Sequence, residues 1–509
     1  MPRKHTVAKR LFLFLLFILG FSAKAQGANI AFSLTKDKYN YAILLPDNLI
    51  SEYSNVTVHS ADGELKAKLY ISSWWPRVGN ERFVRKIDLR IEPTSLIGTE
   101  QYFYYLKHKP SRIKLPTYFG STASIQLINP TKTNWLHHVF ITQPISTFKE
   151  VDTINHAQSW YSKTQRLEAN FIKSSELMNS RGYGIQQSAQ WLFDRPRALY
   201  QLYFQTGAAS FLLAANNAAK MYMSRMNANG FYKEKPRDHK YLAGMGLFYY
   251  YLINGDKSAA GLLQKMYQAS LTWEPAYKPN RGFWTERHQA AVLDIAVTNW
   301  LLTGDNVIRA RIDYIVDVTY QMTFNRTKKQ DIQCPAHKMS AHEGNRNNSL
   351  VCSPWMMALL TDGLWRYWLK TQSEKAAKLI VGFGRFVAGN GLYSTQIKDR
   401  TTTLPYYLVN LDNHQSSMKN KWTDGQHACD ISGMLGKAVF VSKYYQYAHA
   451  DTQNAFSLML DECQYLSNKI VSSSSKRGYA PVMPPRKFGW KYSTTAELPY
   501  FEALFKHHD

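Results

Sequence analysis

The chain has 509 residues, with 62 lysines and arginines against 37 aspartates and glutamates, so its formal net charge is +25. Hydrophobic residues make up 45% of the sequence, which is enough for a large core and excludes an intrinsically disordered chain. The basic balance favours an anionic partner, such as an acidic glycan, a nucleic acid or a negative membrane surface, although a basic solvated surface would give the same count.

Residues 1–25 have the layout of a secretory signal peptide. Basic residues precede an unbroken apolar run at 11–21, and Ala23 and Ala25 provide a cleavage site before Gln26. The run is too short to span a bilayer as a stable anchor, although an uncleaved anchor is the alternative interpretation. We therefore expect a periplasmic or secreted protein without stable membrane insertion, and export argues against a nucleic-acid partner.

Residues 26–150 are predicted to form a β-sandwich-like domain. Short runs of alternating or β-branched residues recur there, at 56–59, 66–71, 87–91 and 124–128. Turn signals such as Asp62-Gly63 separate the runs, and helical periodicity is absent.

Residues 151–509 are predicted to be helical. Apolar residues recur at helical spacing in five segments, at 198–204, 242–252, 290–302, 356–369 and 434–447. The first four are followed by a short polar turn and a second helix, at 208–219, 257–267, 306–318 and 374–387, with a fifth turn near 448–452 and an early helix at 157–177. Hairpins repeating at roughly 50 residues predict stacked units, and the fold class is mainly α: an (α/α)6-type toroid after the β domain.

Two regions resemble known carbohydrate-active families. Segments 42–47 (AILLPD), 56–63 (VTVHSADG) and 70–77 (YISSWWPR) resemble the opening domain of exo-acting rhamnogalacturonan lyases. In that family, such segments begin a β-sandwich that leads into an (α/α) barrel. The helical part resembles, in general layout, the toroids of polysaccharide lyases and unsaturated glucuronyl hydrolases. The resemblance implies a carbohydrate-active enzyme, but it transfers no catalytic residue to this chain.

The long connections between hairpins hold the residues that such chemistry needs. A β-eliminating lyase uses a base, an acid and a cation or amide that steadies the uronate carboxylate, whereas a hydrolase needs two facing carboxyl groups. The densest connection, 334–355, contains His337, His342, Glu343, Arg346 and Trp355. The two histidines could bind a metal, but the spacing fixes no third ligand, so we expect no metal and no cofactor.

Four other connections carry similar groups. The segment before the fifth hairpin has Trp422, Asp424 and His427, and Asp430 lies three residues further on, within one helical turn. The remaining candidates lie before the first three hairpins: Asp194, Arg195 and Arg197; Asp238 and His239; Trp284, Glu286, Arg287 and His288.

We predict roles for these residues from their side-chain chemistry. The predicted catalytic residues are His239, Glu286, His342, Glu343, Asp424 and His427. The predicted substrate-binding residues are Asp194, Arg195, Arg197, Asp238, Trp284, Arg287, His288, His337, Arg346, Trp355 and Trp422. Recurrence of such groups before the first helix of each hairpin predicts a single cleft.

The sequence therefore favours a secreted enzyme that degrades an acidic polysaccharide or oligosaccharide by β-elimination. The alternatives are an inverting glycoside hydrolase with paired carboxylates and a non-catalytic glycan-binding or envelope protein. The four cysteines, Cys334, Cys352, Cys429 and Cys463, suit disulfides in an oxidising compartment, and three connectivities are possible.

Overall fold

The computed structural model divides the chain into two compact units, one formed by Met1–Thr142 with Leu252–Gly255 and one by Gln143–Tyr251 with Asp256–Asp509. The structure describes residues 30–35, 40–60, 63–64, 67–91, 101–110, 126–127, 188–279, 282–324, 333–342, 348–397, 399–419, 424–472, 489 and 492–505. The predicted signal peptide and the helix predicted at 157–177 lie outside these residues.

The N-terminal unit contains two four-stranded sheets. Its strands are β1 (Ile30–Thr35), β2 (Asn40–Leu44), β3 (Ser54–Ser60), β4 (Gly63–Glu64), β5 (Ala67–Trp74), β6 (Val84–Ile91), β7 (Gln101–Pro110) and β8 (Gln126–Leu127). One sheet has the order β1-β7-β3-β4 and the other β5-β6-β2-β8. The described pairings are antiparallel, apart from the parallel pair β2–β8.

Apolar side chains from both sheets share one core. Val56 and Val58 of β3 lie in the same buried cluster as Ile43 of β2, Ile71 of β5 and Ile87 of β6. Alternate residues of a strand point to the same face, so each sheet contributes one apolar face to this core. The predicted strands at 56–59, 66–71 and 87–91 are thereby confirmed, although the observed strands extend up to three residues beyond the predicted ends.

The second unit is built from helical hairpins, and five of them lie within the described residues. Their helices are α1 (Arg195–Thr206) and α2 (Ala209–Ser224); α3 (Met245–Asn254) and α4 (Lys257–Ser270); α5 (Glu286–Thr303) and α6 (Asn306–Phe324); α7 (Pro354–Thr371) and α8 (Glu374–Asn390); α9 (Asp424–Tyr444) and α10 (Ala450–Ser472). A shorter helix, α11 (Leu498–Phe505), follows. All five predicted hairpins are confirmed, since each predicted helix overlaps one of these.

The two helices of a hairpin differ in burial, which places them in two layers. Every residue of α1 except Thr206 is buried, whereas α2 buries a single stripe that includes Phe211, Ala215 and Tyr222. A helix buried on all sides lies inside a structure, and an amphipathic one lies on its outside. The first helices also contact one another, as α5 and α7 do. The C-terminal segment reaches back to α1, where Gln205 donates a hydrogen bond to the Ala496 carbonyl. This arrangement fits a helical toroid.

Charged side chains of the inner helices meet in a buried network. Arg197 of α1 donates two hydrogen bonds to Asp362 of α7, at 2.6 and 3.2 Å. Lys437 of α9 lies 3.0 Å from the same carboxylate and 3.2 Å from Glu497. Burial alone would raise the pKa of Asp362, but the cations around it hold that pKa well below its usual range. Because the pairs are matched and hydrogen-bonded, these charges are tolerated in the interior.

One end of each hairpin is a short turn. Gly207 and Gly304 end α1 and α5 with φ of 69° and 70°, in the left-handed region that glycine adopts without strain. The long connections lie at the other end, and two of them contain short strands that were not predicted. β9 (His337–Lys338), β10 (Leu350–Cys352) and β13 (Val409–Asn410) form a small sheet, and β11 (Leu392–Ile397) pairs with β12 (Arg400–Pro405).

Disulfides join Cys334 to Cys352 and Cys429 to Cys463, which selects one of the three connectivities left open by the sequence. Both bridges suit an extracytoplasmic compartment. Among the described residues, no helix combines the length and apolar character needed to cross a membrane.

Candidate functional site

The Arg287 side chain lies where the starts of four inner helices come together. Its guanidinium lies over the rings of Phe193, before α1, and of Trp355, in the first turn of α7. Trp355 also contacts His427 in α9, whose ring is stacked on it with centroids 4.6 Å apart. Arg287 is itself in the first turn of α5. The structure therefore brings groups from the starts of four inner helices together.

His427 is held by a carboxylate. Its Nδ1 lies 3.1 Å from Asp430 Oδ2, one turn further along α9, and the other Asp430 oxygen accepts a hydrogen bond from Thr494. Burial lowers the pKa of His427 well below its usual value, and the charge of Arg287 adds to that effect. His427 is therefore a neutral imidazole near pH 7, with one nitrogen engaged by Asp430.

A second histidine–aspartate pair lies beside Arg287 along the chain. His288 Nε2 is 3.3 Å from Asp238, and Nδ1 is 2.7 Å from the hydroxyl of Thr285, the N-cap residue of α5. Burial lowers the pKa of His288, with Asp238 opposing the shift and Arg287 reinforcing it. Burial alone would raise the pKa of Asp238, but its hydrogen bond to His288 and the charge of Lys240 bring it to about 2.

Aromatic rings surround this second pair. Trp273 stacks on His288 with centroids 5.3 Å apart, and Phe283 meets the same ring edge-on at 4.7 Å. His239 packs against Trp273 and lies 2.9 Å from the Thr272 hydroxyl. Phe283 is 36% exposed, so this part of the site presents an apolar ring to solvent.

Glu286, His337 and His342 form a third, fully buried group. His337 Nε2 lies 3.2 Å from His342 Nδ1, and His337 Nδ1 lies 3.6 Å from Glu286 Oε1. The Ser353 amide donates a 2.8 Å hydrogen bond to that same oxygen. Burial raises the pKa of the Glu286 carboxyl to about 8, against the effect of its backbone donors. One carboxylate and two imidazoles can together hold a metal ion. Glu286, His337 and His342 form such a group within the part of the chain that the structure describes.

Asp194, Arg195 and Arg197, the predicted substrate-binding residues at the start of α1, are all buried. Asp194 is the N-cap of α1 and accepts hydrogen bonds from the amides of Arg197 and Gly246. Burial and the charge of Asp294 raise its pKa to about 6. Arg197 binds Asp362, and Arg195 is completely buried, which lowers its pKa to about 9. Substrate binding by these residues stays a prediction, and Asp194 and Arg197 already have hydrogen-bonding roles within the protein.

The other predicted residues divide into two sets. Trp284 is buried against His337, with ring centroids 5.2 Å apart. Glu343, Arg346 and Trp422 lie outside the described residues, as does the side chain of Asp424, whose backbone begins α9. Their predicted roles stay predictions.

Two residues of the site were missed by the sequence interpretation. Trp273 stacks on His288, and Tyr407 lies between His342 and Trp355, with ring centroids 6.3 and 6.0 Å away. Both lie in connections that were singled out for length and polarity. Each is an aromatic residue within a polar connection, which is a pattern that could have indicated a binding site. Many aromatic residues of the core show the same pattern, so it does not single these two out.

Comparison with known proteins gives little further information. No family model matches the chain, and no curated protein matches it. Two solved structures are similar in part. A cellobiose 2-epimerase from Bacillus thermoamylovorans is 14% identical with a TM-score of 0.42, over 62% of this chain and 88% of that one. A sugar epimerase from a ruminal bacterium is 12% identical with a TM-score of 0.39, over 62% of this chain and 87% of that one. Likeness at this level carries no argument about activity.

Proposed function

We propose that this chain is a secreted carbohydrate-active enzyme that cleaves an acidic polysaccharide or oligosaccharide by β-elimination. The observation that carries the proposal is a partly exposed cation, Arg287, that shares the neighbour Trp355 with His427 and precedes His288 in the chain. Both histidines have lowered pKa values, and each lies beside an aspartate. A cation and a neutral imidazole are the two groups that removal of a proton beside a uronate carboxylate requires.

Arg287 is the group that would receive the uronate carboxylate. A guanidinium offers five N–H donors in a planar fork, which suits a carboxylate better than a point charge does. Neutralising the carboxylate acidifies the C5 proton next to it, because the charge that develops during proton removal is then stabilised. The net charge of +25 favours an acidic glycan over a neutral one.

His427 is the proposed base. Its pKa lies well below the usual value, so the nitrogen is unprotonated at neutral pH and can take the C5 proton. The electrons of the C5–H bond form the C4=C5 double bond, and those of the C4–O bond leave with the oxygen. The imidazolium formed on His427 holds the proton that this oxygen needs, and Asp430 stabilises the charged ring meanwhile. His427 thus acts first as the base and then as the acid.

The pair of His288 and Asp238 would bind a neighbouring sugar unit. The partly exposed ring of Phe283 offers an apolar surface for the C–H face of a pyranose, and the partly exposed Asp238 can accept hydrogen bonds from hydroxyls. His288 and Asp238 are therefore binding residues in this proposal.

Inverting hydrolysis has less support from the described carboxylates. Asp194 accepts two backbone amides, Glu286 accepts the Ser353 amide, and Asp238 binds His288. Each has a hydrogen-bonding role within the protein, whereas a hydrolase needs an acid and a base that face each other across the bond.

The finer architecture is also part of the proposal. We propose that residues 1–25 are a signal peptide, that 26–150 form the sandwich-like domain, and that 151–509 form a toroid of six hairpins. The two disulfides support export to an oxidising compartment.

Absorbance tests this function, because elimination creates a conjugated uronate that absorbs in the near ultraviolet, whereas hydrolysis only adds reducing ends. We expect absorbance to rise when the mature protein is mixed with one member of a panel of acidic glycans. New reducing ends without absorbance would mean a hydrolase, and neither signal on a glycan that binds would mean a non-catalytic glycan-binding protein.

A further inference from the structure

The buried group of Glu286, His337 and His342 has the composition of a transition-metal site. One ligand atom from each residue can be chosen so that all three lie within 4.8 Å of one another. The residues come from three places: the first turn of α5, strand β9, and the turn after β9. The sequence spacing of His337 and His342 could not reveal the carboxylate, because it lies about 50 residues earlier in the chain.

The burial of Glu286 is the second observation. Glu286 and His337 are 0% exposed and His342 is 3% exposed. One carboxylate oxygen of Glu286 accepts the Ser353 amide, but Oε2 has no hydrogen-bond partner among the described residues. A buried carboxyl oxygen without a hydrogen-bond partner is costly, and a cation that binds it removes that cost.

The geometry between the two imidazoles also fits. His337 Nε2 and His342 Nδ1 are 3.2 Å apart. Two ligands about 2 Å from a tetrahedral zinc ion lie roughly 3.3 Å apart, so little movement would let both nitrogens bind one ion.

The surroundings hold these ligands in place. The bridge between Cys334 and Cys352 closes the segment that contains both histidines. Within it, His337 of β9 pairs with Val351 of β10, and the next residues along are Cys352 and Ser353, whose amide binds Glu286. Trp284 and Tyr277 pack against the His337 ring. A site held by a disulfide and a strand pairing loses little entropy when it binds an ion.

We propose that Glu286, His337 and His342 bind one divalent transition-metal ion, of which zinc is the expected one. Two imidazoles with a carboxylate suit zinc and its neighbours, whereas calcium and magnesium prefer oxygen ligands alone. Three protein ligands leave a fourth position for water or another group. The proposal assigns Glu286 and His342 to metal binding instead of the acid–base role predicted from the sequence, and it holds whether or not the glycan is cleaved by elimination.

The first test is the metal content of untagged, exported protein with both disulfides formed. We expect about one zinc per chain by elemental analysis. Removing it with a chelator should lower the melting temperature, and added zinc should restore it, because an ion that binds only the folded state stabilises that state. Calcium or magnesium should not restore it.

The second test is cobalt titration of the metal-free protein, followed by the visible bands of a tetrahedral cobalt ion. We expect these bands to saturate at one equivalent. His342→Ala and the nearly isosteric Glu286→Gln should weaken binding by more than about 100-fold, since each removes a direct ligand. The control is His449→Ala, because His449 lies in the turn before α10 and contacts the Tyr447 carbonyl. It should bind cobalt as the unmodified protein does.

The proposal is overturned if the unmodified protein retains no zinc and gives no tetrahedral cobalt bands, or if folded Glu286→Gln and His342→Ala both bind as tightly as the His449→Ala control. Where a variant does not fold, X-ray absorption of the cobalt-loaded unmodified protein decides: two imidazole ligands support the site, and none contradicts it. These readouts do not depend on glycan cleavage, so failure here leaves the elimination proposal standing, and the reverse also holds.

Discussion

The two ends of the helical hairpins are built from the same helices but differ in what they bury. At the turn end, short connections such as the one at Gly207 stay near the surface, and glycine or a polar residue in the left-handed region reverses the chain. At the other end, His337 in a long connection and Glu286, His427 and Asp430 near the starts of inner helices are all buried. Burying ionisable groups costs stability. The turn end therefore needs only to reverse the chain. The connection end buries ionisable groups at a cost in stability, which is expected of a functional site and is not needed for the fold.

The largest expected effect is on the base. His427→Ala should slow product formation by about 10²–10⁴-fold, the usual contribution of general acid–base catalysis. Initial rates on the glycan that gives the near-ultraviolet signal would measure it. The turn-end variant His449→Ala is the matched control and should keep the full rate. A His427→Ala rate within a few-fold of the unmodified protein would show that the base lies elsewhere.

The cation should come next. Arg287→Met keeps much of the side-chain length but removes the charge, and we expect a loss of about 10²–10³-fold in kcat/KM on acidic glycans. Lys375→Met removes the same charge from an exposed ion pair with Asp317 on the outer layer. It should leave kcat/KM unchanged. Equal losses in both variants would mean that overall charge, and not the placement of Arg287, matters.

The disulfide at the connection end gives a stability effect. Replacing Cys334 and Cys352 together with serine should lower the free energy of unfolding by about 3 kcal/mol, since the bridge closes a loop of similar length to those for which that value is typical. Denaturant unfolding would measure it. The folded variant should largely keep its activity, because the proposed base His427 and cation Arg287 lie outside the bridged segment. A loss of activity in the folded variant would place part of the catalytic machinery in this segment.

The pH dependence follows from the direction of the His427 shift. Its pKa is lowered in the folded protein, so the neutral form persists as pH falls through about 6.5, the usual histidine value. Activity should therefore be kept there and be lost only at lower pH. The unfolded chain binds the proton first, so the His427 contribution to stability is present above pH 6.5 and is lost as pH falls below it. An acid limb of kcat/KM at or above pH 6.5 in the unmodified protein would contradict a base with a lowered pKa.

The smallest effect belongs to the turn end. Gly207→Ala introduces a methyl group that meets no atom of the described residues within 4 Å, but φ there is 69°. We expect a loss of about 1 kcal/mol in the free energy of unfolding, from the left-handed backbone alone. The rate should not change. A change in rate larger than about two-fold would mean that the two ends are coupled.

Much of the architecture was predictable because it depends on local patterns. The helical spacing in 290–302 predicted α5, and the polar turn after it predicted a chain reversal, which Gly304 confirms. The strand pairs within the connections were missed, because β9 and β10 are short and gain their pairing from distant residues such as Val409. Short strands of this kind leave little periodic signal.

The site was predictable as a set of connections but not as a set of contacts. Polar and aromatic composition selected the segments that contain Glu286, His342 and His427. Which residues meet depends on tertiary packing: Glu286 adjoins His337, and Trp355 contacts both Arg287 and His427. For Arg197 the polar composition was less informative: it was predicted to bind substrate, but in the structure its guanidinium is buried and binds Asp362.

The most direct test of the central claim is a near-ultraviolet time course with the unmodified protein, His427→Ala and Gly207→Ala on the same acidic glycan. The account predicts rising absorbance for the unmodified protein and for Gly207→Ala, and almost none for His427→Ala. Equal traces for all three, or reducing ends formed without absorbance, would contradict β-elimination at the connection end.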